Sequence, residues 1–457
     1  MALALGLAAV AGAAAASEAP PAPGAPRGFS IPAKDTVQLA NGLSVTFIDY
    51  GSVPKVTVLA VVRTGNLDEG DSTWLADVAV EMLKEGTAAH TASDIARVAA
   101  DMGGTLFVGA GAEQTTVGIS VLSEHAGAAA ELVADVLRNP RFPEAELPRV
   151  LANLERSLVI ARSDPDSLAG EALAKLVYGD HPFGRVLPAP GQLATYDIAG
   201  VRGFYQRNFG ARRTRVYVAG RYDRAALERA LARAFGDWSA GALPSDLPPS
   251  ASETLQLQLI DRPDSPQSSV RMAVAVPHPA HGLYFPTTLT NSLLGGAFGS
   301  RITTNIREDK GYSYSPDSSI SARRGSALWI MQAEVTVEHT AAAISEIYRE
   351  IERLQREAPS AEELDAIKRY RAGLFVIGNS SPNGVLGQLA FMDLHDLPDE
   401  FLTHWVASMY AVTPEQISDI ARLYIVPKQM TVVVVGDLKR IGDSVRALPE
   451  LEGARMP

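Results

Sequence analysis

Arg215-Val216-Tyr217-Val218-Ala219-Gly220-Arg221-Tyr222-Asp223 and Thr431-Val432-Val433-Val434-Val435-Gly436-Asp437 repeat one pattern, and that repetition decides the fold. Each is a short β-branched, apolar run stopped by a glycine, the signature of a buried strand. The two glycines stand 216 residues apart (436 − 220), a reasonable length for one domain. Outward from each copy the patterns also match in order. Strand-like runs open the halves at Val56 to Val62 and at Val270 to Val276. Alternating stretches at Thr105 to Leu122 and at Tyr314 to Val337 read as antiparallel strands, and helical periodicity follows at Ala126 to Leu137 and at Thr340 to Gln355. Strands and helices are grouped rather than strictly alternating, which predicts an α+β fold of two homologous domains, each a mostly antiparallel sheet packed with helices. The joint is the aperiodic Pro/Ser/Gly-rich stretch from Asp237-Trp238-Ser239 to Pro248-Pro249-Ser250. It separates an N-terminal domain over 35–240 from a C-terminal one over 255–445.

The 457 residues are 46% hydrophobic and 20% charged, ample for more than one core. A net charge of −11 argues against a nucleic-acid partner, which calls for basic patches. With no cysteine, disulfides and thiolate metal sites are excluded. Met1 to Ala16 is an unbroken Ala/Leu/Gly/Val run ending in Ala14-Ala15-Ala16, and it reads as a secretory signal without a basic n-region. The Ala19 to Pro26 stretch then reads as a Pro/Ala-rich linker within a leading segment 1–34, and the chain as periplasmic or secreted. No later apolar run is long enough for a membrane span.

Two segments carry chemistry. The first is Asp77-Val78-Ala79-Val80-Glu81-Met82-Leu83-Lys84-Glu85-Gly86-Thr87. The second runs from Leu294-Gly295-Gly296-Ala297-Phe298-Gly299-Ser300-Arg301 to Arg307-Glu308-Asp309-Lys310-Gly311-Tyr312-Ser313-Tyr314. Gly295-Gly296 lacks the Lys-Ser/Thr of a phosphate loop, so nucleotide binding is rejected. Together with Tyr178-Gly179-Asp180-His181-Pro182-Phe183-Gly184, Phe204 to Phe209 and Leu423-Tyr424, these segments resemble the pitrilysin (insulinase) family of zinc peptidases over roughly residues 35–445.

In that family an inverted H-x-x-E-H motif binds zinc in the N-terminal half. Anchored on Met82-Leu83 and Gly86-Thr87, the resemblance places the two zinc histidines at Asp77 and Glu81 and the general-base glutamate at Val80. Oxygen donors at i and i+4 keep the spacing that a metal needs, so weak metal binding stays open beside the plainer reading of a solvated acidic helix face. Valine has no group that takes a proton from metal-bound water, so the hydrolytic step lacks its base. The third ligand falls in Leu151 to Leu158, on Glu155 or Ser157. The eight histidines (His90, His125, His181, His278, His281, His339, His395, His404) supply no second pair at that spacing, and His278 and His281 flank Pro279 in a turn.

The C-terminal segment keeps what the family uses to hold substrate, an arginine and a tyrosine seven residues apart, here Arg307 and Tyr314. A phenol donates to a developing oxyanion, and a forked guanidinium holds carbonyls. Tyr312, two residues before Tyr314, would face the same side of a strand, and Arg212-Arg213 and Arg323-Arg324 read as solvated loop charges. The resemblance thus implies a chain inactive alone: the non-catalytic, substrate-binding subunit of a heterodimeric zinc endopeptidase acting on peptides or unfolded segments. It would hold no cofactor of its own, and zinc would sit in an H-x-x-E-H-bearing partner. Two alternatives remain at this point. One is a structural or chaperone-like subunit of the same fold with no peptidase role; the other is an enzyme using Asp77, Glu81 and a downstream Glu for an unusual metal.

Overall fold

The computed structural model describes residues 32–456, so the signal-like segment and the Pro/Ala stretch lie outside the described residues. The first half builds a sheet from β1 (Lys34–Gln38), β2 (Ser44–Asp49), β3 (Lys55–Val62), β4 (Phe107–Ala110), β5 (Thr115–Leu122) and β6 (Thr214–Gly220). The second uses β7 (Gln256–Asp261), β8 (Gln267–Ala275), β9 (Asp317–Arg323), β10 (Ser326–Thr336) and β11 (Thr431–Gly436). The spatial orders are β1-β2-β6-β3-β5-β4 and β7-β11-β8-β10-β9. Without β1 they are the same order. In each, the closing strand lies parallel to the first and antiparallel to the second: β6 between β2 and β3, β11 between β7 and β8. The two valine-rich runs are these closing strands, flanked on both edges and buried along nearly their whole length. That position explains why neither shows polar alternation.

The halves are clasped rather than merely joined. The helix Pro165–Tyr178, from the first half, packs on β8 and β11 of the second. The helix Pro382–Leu394, from the second, packs on β3 and β6 of the first. Each starts with proline in its first turn after a capping side chain: Asp164 accepts from the Ser167 N–H at 3.0 Å, and Ser381 from the Gly384 N–H at 3.1 Å. Proline there stops the preceding helix and sets the new direction. Val385 and Leu389 consequently share one core with Leu59, Val61 and Tyr217. Ala169, Leu173 and Val177 share another with Val433 and Val435. Each such fully buried Leu or Val contributes roughly 1.5–3 kcal/mol. The polar seam agrees: the Tyr217 hydroxyl donates to Asp393, which also meets Arg215 at 3.3 Å.

Residues 239–255 form neither helix nor strand. Two expectations about charges fail near this stretch. Arg213 is only 5% exposed and pairs with Asp68 at 3.2 Å, because the turn before β6 is roofed by the linker. Arg324 ion-pairs with Asp246 and, at 2.7 Å, with Asp396, so it ties linker and second half together.

Candidate functional site

The degenerate motif lies on the helix Leu75–Leu83. Its N-terminus has no capping side chain of the usual kind, since Trp74 takes the left-handed region at φ 68°. Glu69 performs the capping from the preceding loop, accepting the Trp74 N–H and the Ala76 N–H at 3.0 Å each. Asn66 Nδ2 donates to Glu69 at 3.1 Å and to Asp77 at 2.7 Å. Burial pushes the Glu69 carboxyl up to about 7 and raises Asp77 as well, with Glu81 adding to the latter. Asp77 is half-buried against Asn66. Glu81 is half-exposed and pairs with Lys84 at 2.7 Å. Val80 is 1% exposed within the first core. Glu69 and Asn66 were not singled out from sequence, where Asp71-Ser72-Thr73 just before the helix offers nearer capping residues.

Glu155 and Ser157 both lie on the exposed side of the helix Leu147–Ser163. Among the described residues, no group of three or more His, Asp or Glu side chains is placed to hold a metal ion. The reading of Asp77, Glu81 and a downstream Glu as an unusual metal centre therefore has no geometric support.

Arg307 and Tyr314 do come together. The Arg307 guanidinium carbon sits 5.2 Å from the centre of the Tyr314 ring and 4.4 Å from that of Phe298. Both rings are exposed, Tyr314 by 79% and Phe298 by 71%. A guanidinium is weakly hydrated and stacks well on aromatic faces, so each ring holds the cation in place by about 0.5–1 kcal/mol at an exposed position.

The loop presenting this trio is anchored at several points. Arg307 lies in a π-helical turn, Thr304–Asp309, whose Asn305 amide donates to Glu346 at 3.1 Å and to Glu350 at 2.8 Å. Arg301 forks onto Glu363 with two bonds of 2.8 Å. At the loop's start, a Cβ on Gly296 would stand 2.3 Å from Asn291 Nδ2, and one on Gly295 2.5 Å from Ser318 Oγ. These glycines serve close packing against the Asn291–Ser318 hydrogen bond, not ligand binding. Tyr312 does not accompany Tyr314: the residues before Asp317 are irregular rather than extended, and Tyr312 stacks on His339 at 4.4 Å. Its role is packing.

A cavity of about 370 Å³ lies beside Arg307, Tyr314 and Tyr370. Ser315 lines both this cavity and a larger one of about 730 Å³ that reaches Asp166, Arg262 and Glu334. Between the halves, a third cavity of about 230 Å³ is walled by Asn66 and Trp74 on one side and by Arg271 and Arg323 on the other. Thus Arg323 also belongs to a lined cleft, with its guanidinium 5.4 Å from the Phe183 ring.

Comparison with known proteins gives this arrangement a family. Residues 45–191 match the model described as insulinase (peptidase family M16), and residues 197–370 match the peptidase M16 inactive domain. The chain belongs to the M16 peptidase family. Its M16 relatives include the uncharacterized zinc protease YmxG of Bacillus subtilis, 22% identical over 384 residues, covering 84% of this chain and 93% of that protein. A peptidase M16 inactive domain from Pseudomonas fluorescens superposes with a TM-score of 0.82 at 22% identity, covering 88% of this chain and 98% of the other. A protease from Helicobacter pylori superposes at 0.83 with 16% identity, covering 89% and 100%. At these identities the structural likeness establishes the fold alone.

Proposed function

We propose that this chain is the non-catalytic, substrate-binding subunit of a two-subunit zinc endopeptidase whose partner carries the H-x-x-E-H site. The observation that carries this reading is the contrast between Val80 and Tyr314. At the position of the general base stands a buried valine, whereas the substrate-gripping tyrosine is 79% exposed, beside an arginine fixed by ring stacking. An empty catalytic position beside a rigidly presented Arg307–Tyr314 pair suits a molecule that acts on chemistry held elsewhere. In that complex Tyr314 donates its hydroxyl to the scissile carbonyl as charge develops on oxygen, and Arg307 orients flanking carbonyls. The partner's zinc supplies the polarised water; this chain's residues bind and orient. Substrates are peptides or unfolded segments, and the signal-like leader supports a periplasmic or secreted setting.

The test is co-expression with an H-x-x-E-H homologue from the same source, followed by gel filtration and a fluorogenic peptide assay. Co-elution with activity absent from either chain alone is the expected result. A homologue equally active without this chain overturns the reading and leaves the structural-subunit alternative.

A further inference from the structure

Several buried or half-buried arginines of this chain meet carboxylates: Arg213 with Asp68, Arg271 with Asp166, Arg301 with Glu363. Arg371, on the helix Ala361–Gly378, does not. It makes no ion pair among the described residues, and its Nε is shut from solvent without a hydrogen-bond partner. Desolvation lowers its pKa, and only the Tyr284 and Tyr370 side chains oppose that. A half-buried guanidinium with one nitrogen shut from water and no counter-charge is costly, and part of that cost is recovered when an anion arrives.

The space it lines is a cavity of about 460 Å³, within the range of small-ligand sites. Its walls are aromatic: Tyr284, Phe375, Phe391, Phe401 and Trp405. These rings brace one another, Phe375 lying flat on Trp405 at 4.2 Å and Phe401 6.2 Å from Tyr284. Gly387 opens the remaining side, since a Cβ there would meet nothing within 4 Å. Thr288 and Gln388 complete the lining, but the Thr288 hydroxyl is already committed to the Tyr284 carbonyl at 2.9 Å. One fixed cation among stacked rings selects one negative charge carried on an apolar, ring-sized group.

We infer that this cavity binds a carboxylate borne on an aromatic or large apolar group, with Arg371 forked onto the carboxylate and the aromatic walls enclosing the side group. Two sources share that chemistry: a free aryl-alkyl acid, and the C-terminal residue of a peptide. The site is separate from the Arg307–Tyr314 pair, although Tyr370, the neighbour of Arg371, lines the cavity beside that pair. It therefore goes beyond the proposed function, and its test requires no partner subunit.

The full chain is titrated with 3-phenylpropionate while tryptophan emission is followed, Trp405 being in the cavity wall. Saturable binding is expected, weakened at least tenfold in Arg371→Gln and in Gly387→Leu, with thermal midpoints no lower than that of the parent. The neutral 3-phenylpropanol should bind at least tenfold more weakly. A second arm compares acetyl-Gly-Gly-Phe as free acid and as amide. Binding of the acid peptide alone assigns a peptide C-terminus, whereas binding of 3-phenylpropionate but neither peptide assigns a free acid; both uphold the site. No saturable binding of any probe up to about 10 mM overturns the inference. So does an alcohol that binds as tightly as the acid, or binding indifferent to both substitutions. The alcohol control decides the matter even if a variant fails to fold.

Discussion

The Arg307 guanidinium lies 5.2 Å from the Tyr314 ring, so the arginine is positioned by the face of the tyrosine while the hydroxyl stays free to point outward. The two functions of Tyr314 can therefore be separated by mutation. Tyr314→Phe keeps the stack and loses the donor. In the reconstituted two-subunit peptidase it should lower kcat roughly 100-fold with KM little changed, as loss of one oxyanion donor does. Tyr314→Ala should also raise KM, because Arg307 loses one of its two rings. Thermal midpoints of both variants should match the parent, since an exposed ring contributes little to the core.

Val80 tests whether the lost base can simply be put back. Val80→Glu places a carboxylate in an apolar core at a position 1% exposed, and it should destabilise the chain by about 2–4 kcal/mol in urea unfolding. Replacing Asp77 and Glu81 by histidine as well should still give sub-stoichiometric zinc by elemental analysis. Both Glu155 and Ser157 are exposed, and among the described residues no third ligand converges on the motif.

His395 predicts a pH dependence of stability. It is 5% exposed, its Nδ1 has no hydrogen-bond partner, and burial, with His278 adding to it, lowers its pKa from 6.5 to about 4. The unfolded chain thus binds a proton at a pH where the folded chain refuses it. The stabilising contribution is complete above about pH 6.5 and falls away as pH drops toward 4, reaching about 3 kcal/mol of loss. His395→Gln should flatten that part of the profile, measured as the difference between the two proteins in urea titrations at pH 7 and pH 4.5.

Gly296 should tolerate no side chain. In Gly296→Ala the methyl would meet Asn291 Nδ2 at 2.3 Å and the Ser318 carbonyl oxygen at 2.9 Å. Relief requires breaking the Asn291–Ser318 bond or shifting the loop that carries Phe298. The expected outcome is a loss of about 1–3 kcal/mol together with weaker peptide binding by the reconstituted complex. Calorimetry and KM check the two effects.

Much of this was legible in the residues, for identifiable reasons. The repeated valine-rich strands could be read because a strand flanked on both sides is apolar throughout, and the strand order bears out the duplication. Arg307 and Tyr314 could be paired because the resemblance supplies an arginine and a tyrosine seven residues apart, in one short segment of sequence. What escaped depends on contacts between distant segments. Nothing local reveals that Arg213 is buried against Asp68, 145 residues away, or that Glu69 caps a helix whose own N-cap position is occupied by Trp74. The strand expected to begin at Tyr314 begins at Asp317 instead, and Tyr312 packs on His339. The crossing of the two helices between sheets was likewise invisible, since an apolar helix face shows that a partner is needed but not which one.

That crossing has a consequence for how the molecule is made. While the first half emerges from the ribosome, the face of β3 and β6 waits for a helix encoded some 170 residues after β6 (from Thr214–Gly220 to Pro382–Leu394). Neither half can complete itself, so the chain matures as one long-range event, slow by the measure of contact separation and dependent on protection of the waiting sheet. Once closed, the same reciprocity makes the linker dispensable: a protease nick within 239–255 should leave two fragments that stay together until denatured.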